Sequence, residues 1–196
     1  DQIINENYMI RVGKNSGLKI QMEDGSVFDI KDESVFALKD MKKDSFSGIF
    51  KTKIRMYSGK IRAIVTKLKS TESYFIVETP TSIAGVRGTD FIVEADISES
   101  RVYVNEGIME VKNIFNIGEP LLLSENQFST IIKTSAPTPP SPIPAEIKKE
   151  WGLPVSDLIS QKTKNDDLIK PDTKEIKTEI TTEPIKDNKI ETNVKK

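Results

Sequence analysis

The residues with the most chemical potential lie in "ETPTSIAGVRGTDFIVEAD", residues 78–96, where two glycines flank an arginine. A phosphate cradle needs glycines and a cation together, because backbone N–H groups must approach the anion closely while a side chain completes its neutralisation. A loop of the G-x-x-x-x-G-K-[ST] kind leads from a strand into a helix, however, and Gly88 leads into the strand-like "DFIVEA". The dinucleotide fingerprint fails on the same ground and lacks its third glycine. An RNA-binding GxxG clamp fits Gly85, Val86, Arg87 and Gly88 literally, but that clamp joins helices.

Other chemistry is limited by what is missing. The chain has neither cysteine nor histidine, which removes thiol nucleophiles, disulfides, cysteine-bearing zinc sites and every imidazole-dependent triad. An enzyme built here would rely on carboxylates, and Glu94 and Glu110 are the acids at outward strand positions that such a pair would use. Solvated sheet faces carry acids routinely, so the expectation is a non-enzyme with no cofactor. "EDGS" is too short for a calcium loop of the EF-hand kind.

The elements around the glycines read as strands. The chain has 196 residues, 36% of them hydrophobic, enough for one moderate core with residues left over. Through residues 1–134 the apolar period is two: Leu18, Ile20 and Met22 share one face, as do Ile54 and Met56, Ile61, Ala63 and Val65, and Phe91, Val93 and Ala95. Their alternates are mostly charged or polar. Half-buried strands of this kind require two sheets face to face or one closed sheet, so the expected class is all-β: a two-layer antiparallel sandwich, jelly-roll-like in outline. Asp24-Gly25 and Ser58-Gly59 read as hairpin turns, and Asn105, Glu106 and Gly107 as a three-residue hairpin. "DESVFALKDM" is compatible with a helix.

In that setting the glycine stretch is a structural corner. Thr79 before Pro80 is held extended, and Gly85 and Gly88 allow positive φ where the chain reverses. Ile83 and Val86 seal the corner from inside, while Arg87 gives its donors to loop carbonyls, to Asp90 or to a neighbouring acid.

Composition changes after residue 134. Every Phe and Tyr lies between Tyr8 and Phe128, and only Pro80 and Pro120 of the ten prolines precede Ala136. Residues 135–144, with "SAPTPPSPIP", read as an extended proline-rich linker that holds its neighbours apart. Residues 145–160 suit a short helix bearing Trp151, the only tryptophan. Trp151 and Leu153 either fold back on their own domain or dock into a partner's groove. Residues 161–196 mix Lys, Glu and Thr with isolated Ile and are expected to be a disordered charged tail.

Charge and hydropathy narrow the partners. A formal net charge of −1 is far from the positive field that nucleic acid demands. No run approaches the roughly 20 apolar residues of a transmembrane helix. The chain opens on Asp1 rather than Met, which points weakly to processing after export, with anchoring left to an upstream segment such as a lipid-modified cysteine.

"TPTSIAGVRGTDFIVE", followed by "RVYVNEGIMEV", closely resembles the core signature of the FecR domain family, with the similarity running over roughly residues 8–133. The signature positions are Thr79, Pro80, Gly85, Arg87, Gly88, Thr89 and Phe91, with Asp90 between the last two. The resemblance implies an exported, all-β, two-layer sandwich-like domain on the periplasmic or outer side of a bacterial envelope, and it supplies no catalytic residues. In the regulator that names the family, this domain relays a signal from an outer-membrane transporter to a cytoplasmic sigma factor. Two functional expectations follow. The first is a non-catalytic envelope module that binds or assembles a protein or polysaccharide partner. The alternative is the periplasmic signal-relay part of an iron-responsive sigma-factor system.

Overall fold

Alternating apolar residues become strands that all contribute one row of side chains to a shared interior. In the computed structural model the described residues are 4, 6–44, 46, 48–68, 70, 72–154 and 180–184. The chain opens with β1 (Tyr8–Val12), β2 (Leu18–Gln21), β3 (Val27–Ile30), β4 (Val35–Asp44) and the long β5 (Ile49–Ile64). Then come β6 (Tyr74–Glu78), β7 (Ser82–Val86), β8 (Asp90–Ala95), β9 (Glu99–Glu106) and β10 (Ile108–Asn113). After β11 (Leu121–Ser124), β12 (Gln127–Ile132) and the two-residue β13 (Ser141–Pro142) there is a short helix, α1 (Ala145–Glu150), and farther on β14 (Ile180–Pro184).

These strands form two layers joined through β5. The first sheet runs β14-β1-β4-β5-β6-β7-β10-β11 and the second β2-β3-β5-β8-β9-β12-β13. The first part of β5 pairs with β4 and β6, and the part from Gly59 onward pairs with β3 and β8. Neighbouring pairs are antiparallel except β5 with β6, which are parallel. Residues from both layers fill the core between them: Phe36, Leu38, Ile54, Phe75 and Val77 from the first, Phe28, Ile61, Phe91, Val93 and Val102 from the second. The Phe75 ring stands between Phe28 and Phe91, with centroids at 5.5 and 6.1 Å, so the aromatic contacts cross the interior.

The expected all-β class and the inward faces of β2, β5 and β8 hold, and Asp24-Gly25 does turn the β2–β3 hairpin. The connections elsewhere differ. "DESVFALKDM" contributes to β4 rather than to a helix, because Phe36, Ala37 and Leu38 are buried beside β5. Ser58-Gly59 makes no hairpin: β5 continues through it and changes sheet, with Gly59 at φ 104°. A Cβ at Gly59 would overlap Ser34, so the bend is open to glycine alone. Asn105–Gly107 is not a hairpin either, since β9 pairs with β8 and β12 while β10 pairs with β7 and β11; the turn carries the chain from one layer to the other.

The proline-rich residues lie along the sheet instead of leading away from it. Thr138 donates its N–H to Thr130 O at 3.0 Å, Ile143 donates to Asn126 O at 3.1 Å, and β13 pairs with β12. Proline suits this place because an edge strand needs few N–H donors. Of the expected helix at 145–160, Ala145–Glu150 is helical and residues 155–160 lie outside the described residues. The tail expected at 161–196 also lies outside them, apart from β14, which adds antiparallel to β1 with Val12 opposite Ile180.

Gly59→Ala should lower the unfolding free energy by about 2–4 kcal/mol, since it combines an unfavourable positive φ with overpacking. Urea denaturation followed by circular dichroism checks this, and an unchanged midpoint would contradict the assigned bend.

Candidate functional site

The signature stretch is two turns with a strand between them. The first turn links β6 to β7, and Pro80 occupies its second position, where a fixed φ is favourable. Thr79, Thr81 and Ser82 are buried there, and their hydroxyls face Ser100 of β9 in the other layer. Thr79 Oγ1 lies 2.8 Å from Ser82 Oγ and 2.7 Å from Ser100 Oγ, and Thr81 Oγ1 lies 2.6 Å from Ser100 Oγ. Thr79 Oγ1 also accepts the N–H groups of Thr81 at 3.2 Å and Ser82 at 2.8 Å. Four hydroxyls thus pin the two sheets together at one end and satisfy each other out of contact with water.

The second turn takes the chain from β7 to β8, across the layers. Gly88 has φ 101°, and a Cβ there would lie 2.6 Å from Lys67 Cα, so this crossing too requires glycine. Thr89 Oγ1 donates to Ile108 O at 2.9 Å, tying the crossing to the start of β10. Asp90 receives Arg62 through Nε at 2.9 Å and Nη2 at 2.7 Å, and Asn105 Nδ2 at 2.7 Å. That fork is what holds the Arg62 guanidinium above its ordinary pKa against the opposing effect of burial.

The sequence reading of this stretch is modified at Gly85 and Ile83. Gly85 does not sit at a reversal: it lies within β7, opposite Ile76 and Glu110, with no positive φ. Val86 is buried as expected, while Ile83 is half-buried on the alternate face. The Asp90 carboxylate offered to Arg87 is engaged by Arg62 and Asn105, and Arg87 itself is exposed. Phe91, the last signature residue, is fully buried against Phe75.

The outer face of the second sheet carries a second apolar cluster. Ile92, Tyr103 and Phe128 point away from the main core and are covered by Ile143, Ile147, Trp151 and Leu153. Tyr103 and Phe128 stack with centroids 5.3 Å apart. Burial, with the Glu94 carboxylate close by, pushes the Tyr103 phenol well above its ordinary pKa, so it stays a donor to Glu94 Oε2 at 3.0 Å. The covering segment is anchored by charge as well: Lys60 donates to Glu150 at 2.9 Å, Arg62 Nη1 donates to Trp151 O at 3.0 Å, and Lys31 Nζ stands 4.4 Å from the Trp151 ring centroid. Trp151 and Leu153 therefore fold back on their own domain. A signal for this was present in "FIV" and "VYV", where apolar residues break the alternation at Ile92 and Tyr103.

Glu94 and Glu110 do not form a carboxylate pair. Glu94 belongs to the outer face of the second sheet, held by Lys60 at 3.1 Å and Tyr103, whereas Glu110 is exposed on β10 in the first. The two acids stand on opposite sides of the sandwich, too far apart in topology to flank one bond. Among the described residues, no three of Asp, Glu, Cys or His are grouped so as to hold a metal ion, and no helix is long and apolar enough to cross a membrane.

On the outer face of the first sheet, Glu78 accepts Lys53 Nζ at 2.7 Å and Arg55 at 3.0 and 2.6 Å. Burial opposes its ionisation, but those hydrogen bonds outweigh burial and hold the carboxyl below its ordinary value of 4.5.

Comparison with known proteins gives a consistent result. A family model described as "FecR protein" matches residues 8–110, which contain the whole signature stretch. No curated protein matches. Two crystal structures of a candidate anti-sigma factor from Parabacteroides distasonis ATCC 8503 share the fold, each with a TM-score of 0.59 at 19% identity. The similarity covers 73% of this chain and 63% of each of those.

Thr79→Val should cost about 1–3 kcal/mol, because it strands buried hydroxyls and N–H groups without partners. Arg87→Ala should stay within about 0.5 kcal/mol, as exposed substitutions do. Equal losses in the two variants would refute the hydroxyl pin. Glu78 is deprotonated more readily folded than unfolded, so its contribution is complete above about 4.5 and is lost as pH falls through the folded value. An acid titration of stability should accordingly be shallower below that pH for Glu78→Gln than for the parent chain, and superimposable curves would contradict the assignment.

Proposed function

The chain belongs to the FecR protein family, and from that premise we propose that it is a non-enzymatic signal-relay module of a bacterial envelope regulatory system. The observation carrying this reading is the family match over residues 8–110, which spans the interlayer crossings at Gly59, Gly88 and Asn105–Gly107 and the hydroxyl pin. The fold shared with a candidate anti-sigma factor supports the same reading. In this proposal the module sits on the extracytoplasmic side of the membrane, receives a signal by protein contact, and passes it toward a sigma factor in response to iron supply.

The geometry suits a relay better than a reaction vessel. Buried polar groups here hold layers together, and Glu78 and Glu94 are committed to cations on opposite faces. The surfaces available for function include two outer sheet faces, one covered by the chain's own C-terminal segment and one open, and a cavity of about 900 Å³ bordered by Leu18, Met22, Leu38 and Met41. The broader reading, an envelope module assembling a protein or polysaccharide, uses the same surfaces without a transcriptional output.

Deleting the gene and comparing transcripts in iron-replete and iron-depleted cultures separates these readings. A discrete set of genes moving together, restored by the parent chain but not by Gly59→Ala, is the expected outcome. Unchanged transcripts alongside a stable envelope complex would replace the relay with the assembly module.

A further inference from the structure

Gly85 is a glycine without a conformational reason. Its φ is ordinary, and a Cβ built on it would meet nothing within 4 Å. Glycine inside a strand costs about 0.5–1 kcal/mol relative to alanine, and where the backbone does not require it, it marks a place that another group approaches closely. It lies in the cross-strand row Ile76, Gly85, Glu110, Leu122 of the first sheet. Gly85 lies in a shallow cleft of about 440 Å³ on the open outer face. Ile76, Ile108 and Leu122 wall it, and the last two are 57% and 59% exposed.

We propose that this cleft is a docking site for an acidic protein segment carrying one aromatic side chain, which seats on the Gly85 backbone. Two observations fix that chemistry. Cations outnumber acids on this face, with Lys42, Lys51, Lys53, Arg55, Arg87 and Lys112 against Asp40, Glu78 and Glu110, although Lys53 and Arg55 share Glu78 and the whole chain is at −1. The opposite outer face shows how such a sheet is covered: an aromatic next to an acid, Trp151 after Glu150, docks with its ring beside Lys31 and its carboxylate on Lys60. Lys51, already 5.9 Å from the Tyr74 ring centroid, is placed to act in the same way at the cleft. The inference rests on the reading of the chain as a module that works through protein contact.

The test titrates the full ¹⁵N-labelled chain with the acetylated, amidated peptide EEEWGLP and follows amide shifts. Saturable shifts at Ile76, Gly85 and Leu122 are expected, absent with EEEAGLP and KKKWGLP. Gly85→Val, whose Cβ meets no neighbour and which keeps an ordinary φ, should weaken binding at least about tenfold, as should K51E/K53E. Leu122→Glu provides an independent check on an exposed position. Shifts confined to other surfaces, equal response to KKKWGLP, or unaltered affinity in Gly85→Val and Leu122→Glu would overturn the proposal. Binding of anionic lipid vesicles through the same residues, with no peptide response, would overturn it too. Loss of the cleft with an intact iron-dependent gene set removes this docking site and leaves the relay standing, whereas peptide binding without that gene set removes the relay alone.

Discussion

Gly59 stands where β5 leaves one sheet for the other, beside Ser34, in a space with no room for a Cβ. The two layers are therefore not separate sheets stacked by apolar contact but one hydrogen-bonded surface folded over at a single residue. Closure of the core follows from that bend. Phe75 on one side meets Phe28 and Phe91 on the other because β5 brings β6 against one half of itself and β3 and β8 against the other half. A backbone constraint thus decides which apolar rows face each other, and the hydrophobic effect then acts on rows already aligned.

The signature stretch closes what the bend begins. Its threonines and serine carry hydroxyls into a place where backbone groups of the β6–β7 turn would be buried without water, and Ser100 from the other layer completes the set. Its second glycine lets the chain pass within touching distance of Lys67, and its aspartate takes the bidentate Arg62. Polar residues here serve specificity of closure more than net stability, since each hydrogen bond replaces one that water would have made. The arrangement explains why a run rich in glycine and hydroxyl residues, with an arginine inside it, needs no ligand to account for most of its members.

The C-terminal segment distinguishes the two outer faces. Prolines make residues 136–144 a poor donor strand, yet an edge position asks for few donors, and the segment lies down along β12 and brings Trp151 over Ile92 and Tyr103. The second sheet is thereby covered on both sides around Ile92 and Tyr103, while the first keeps an open face around Gly85. This asymmetry leaves one broad surface exposed without dismantling the fold.

Period-two patterning alone was enough to establish the class and the inward residues of β2, β5 and β8. The family was legible too, because its motif is long and local. Chain connectivity was not. Ser58-Gly59 and Asn105–Gly107 carry the marks of hairpins, and both instead move the chain between layers. A glycine's positive φ is equally compatible with reversing direction and with changing sheet; the choice depends on which strands lie nearby. The partner of Asp90 and the fold-back of Trp151 were decided in the same way, by residues 28 and 59 positions distant in sequence from those they meet. Local chemistry determines what each residue is able to do, and only the packed tertiary structure determines which neighbours it does it with.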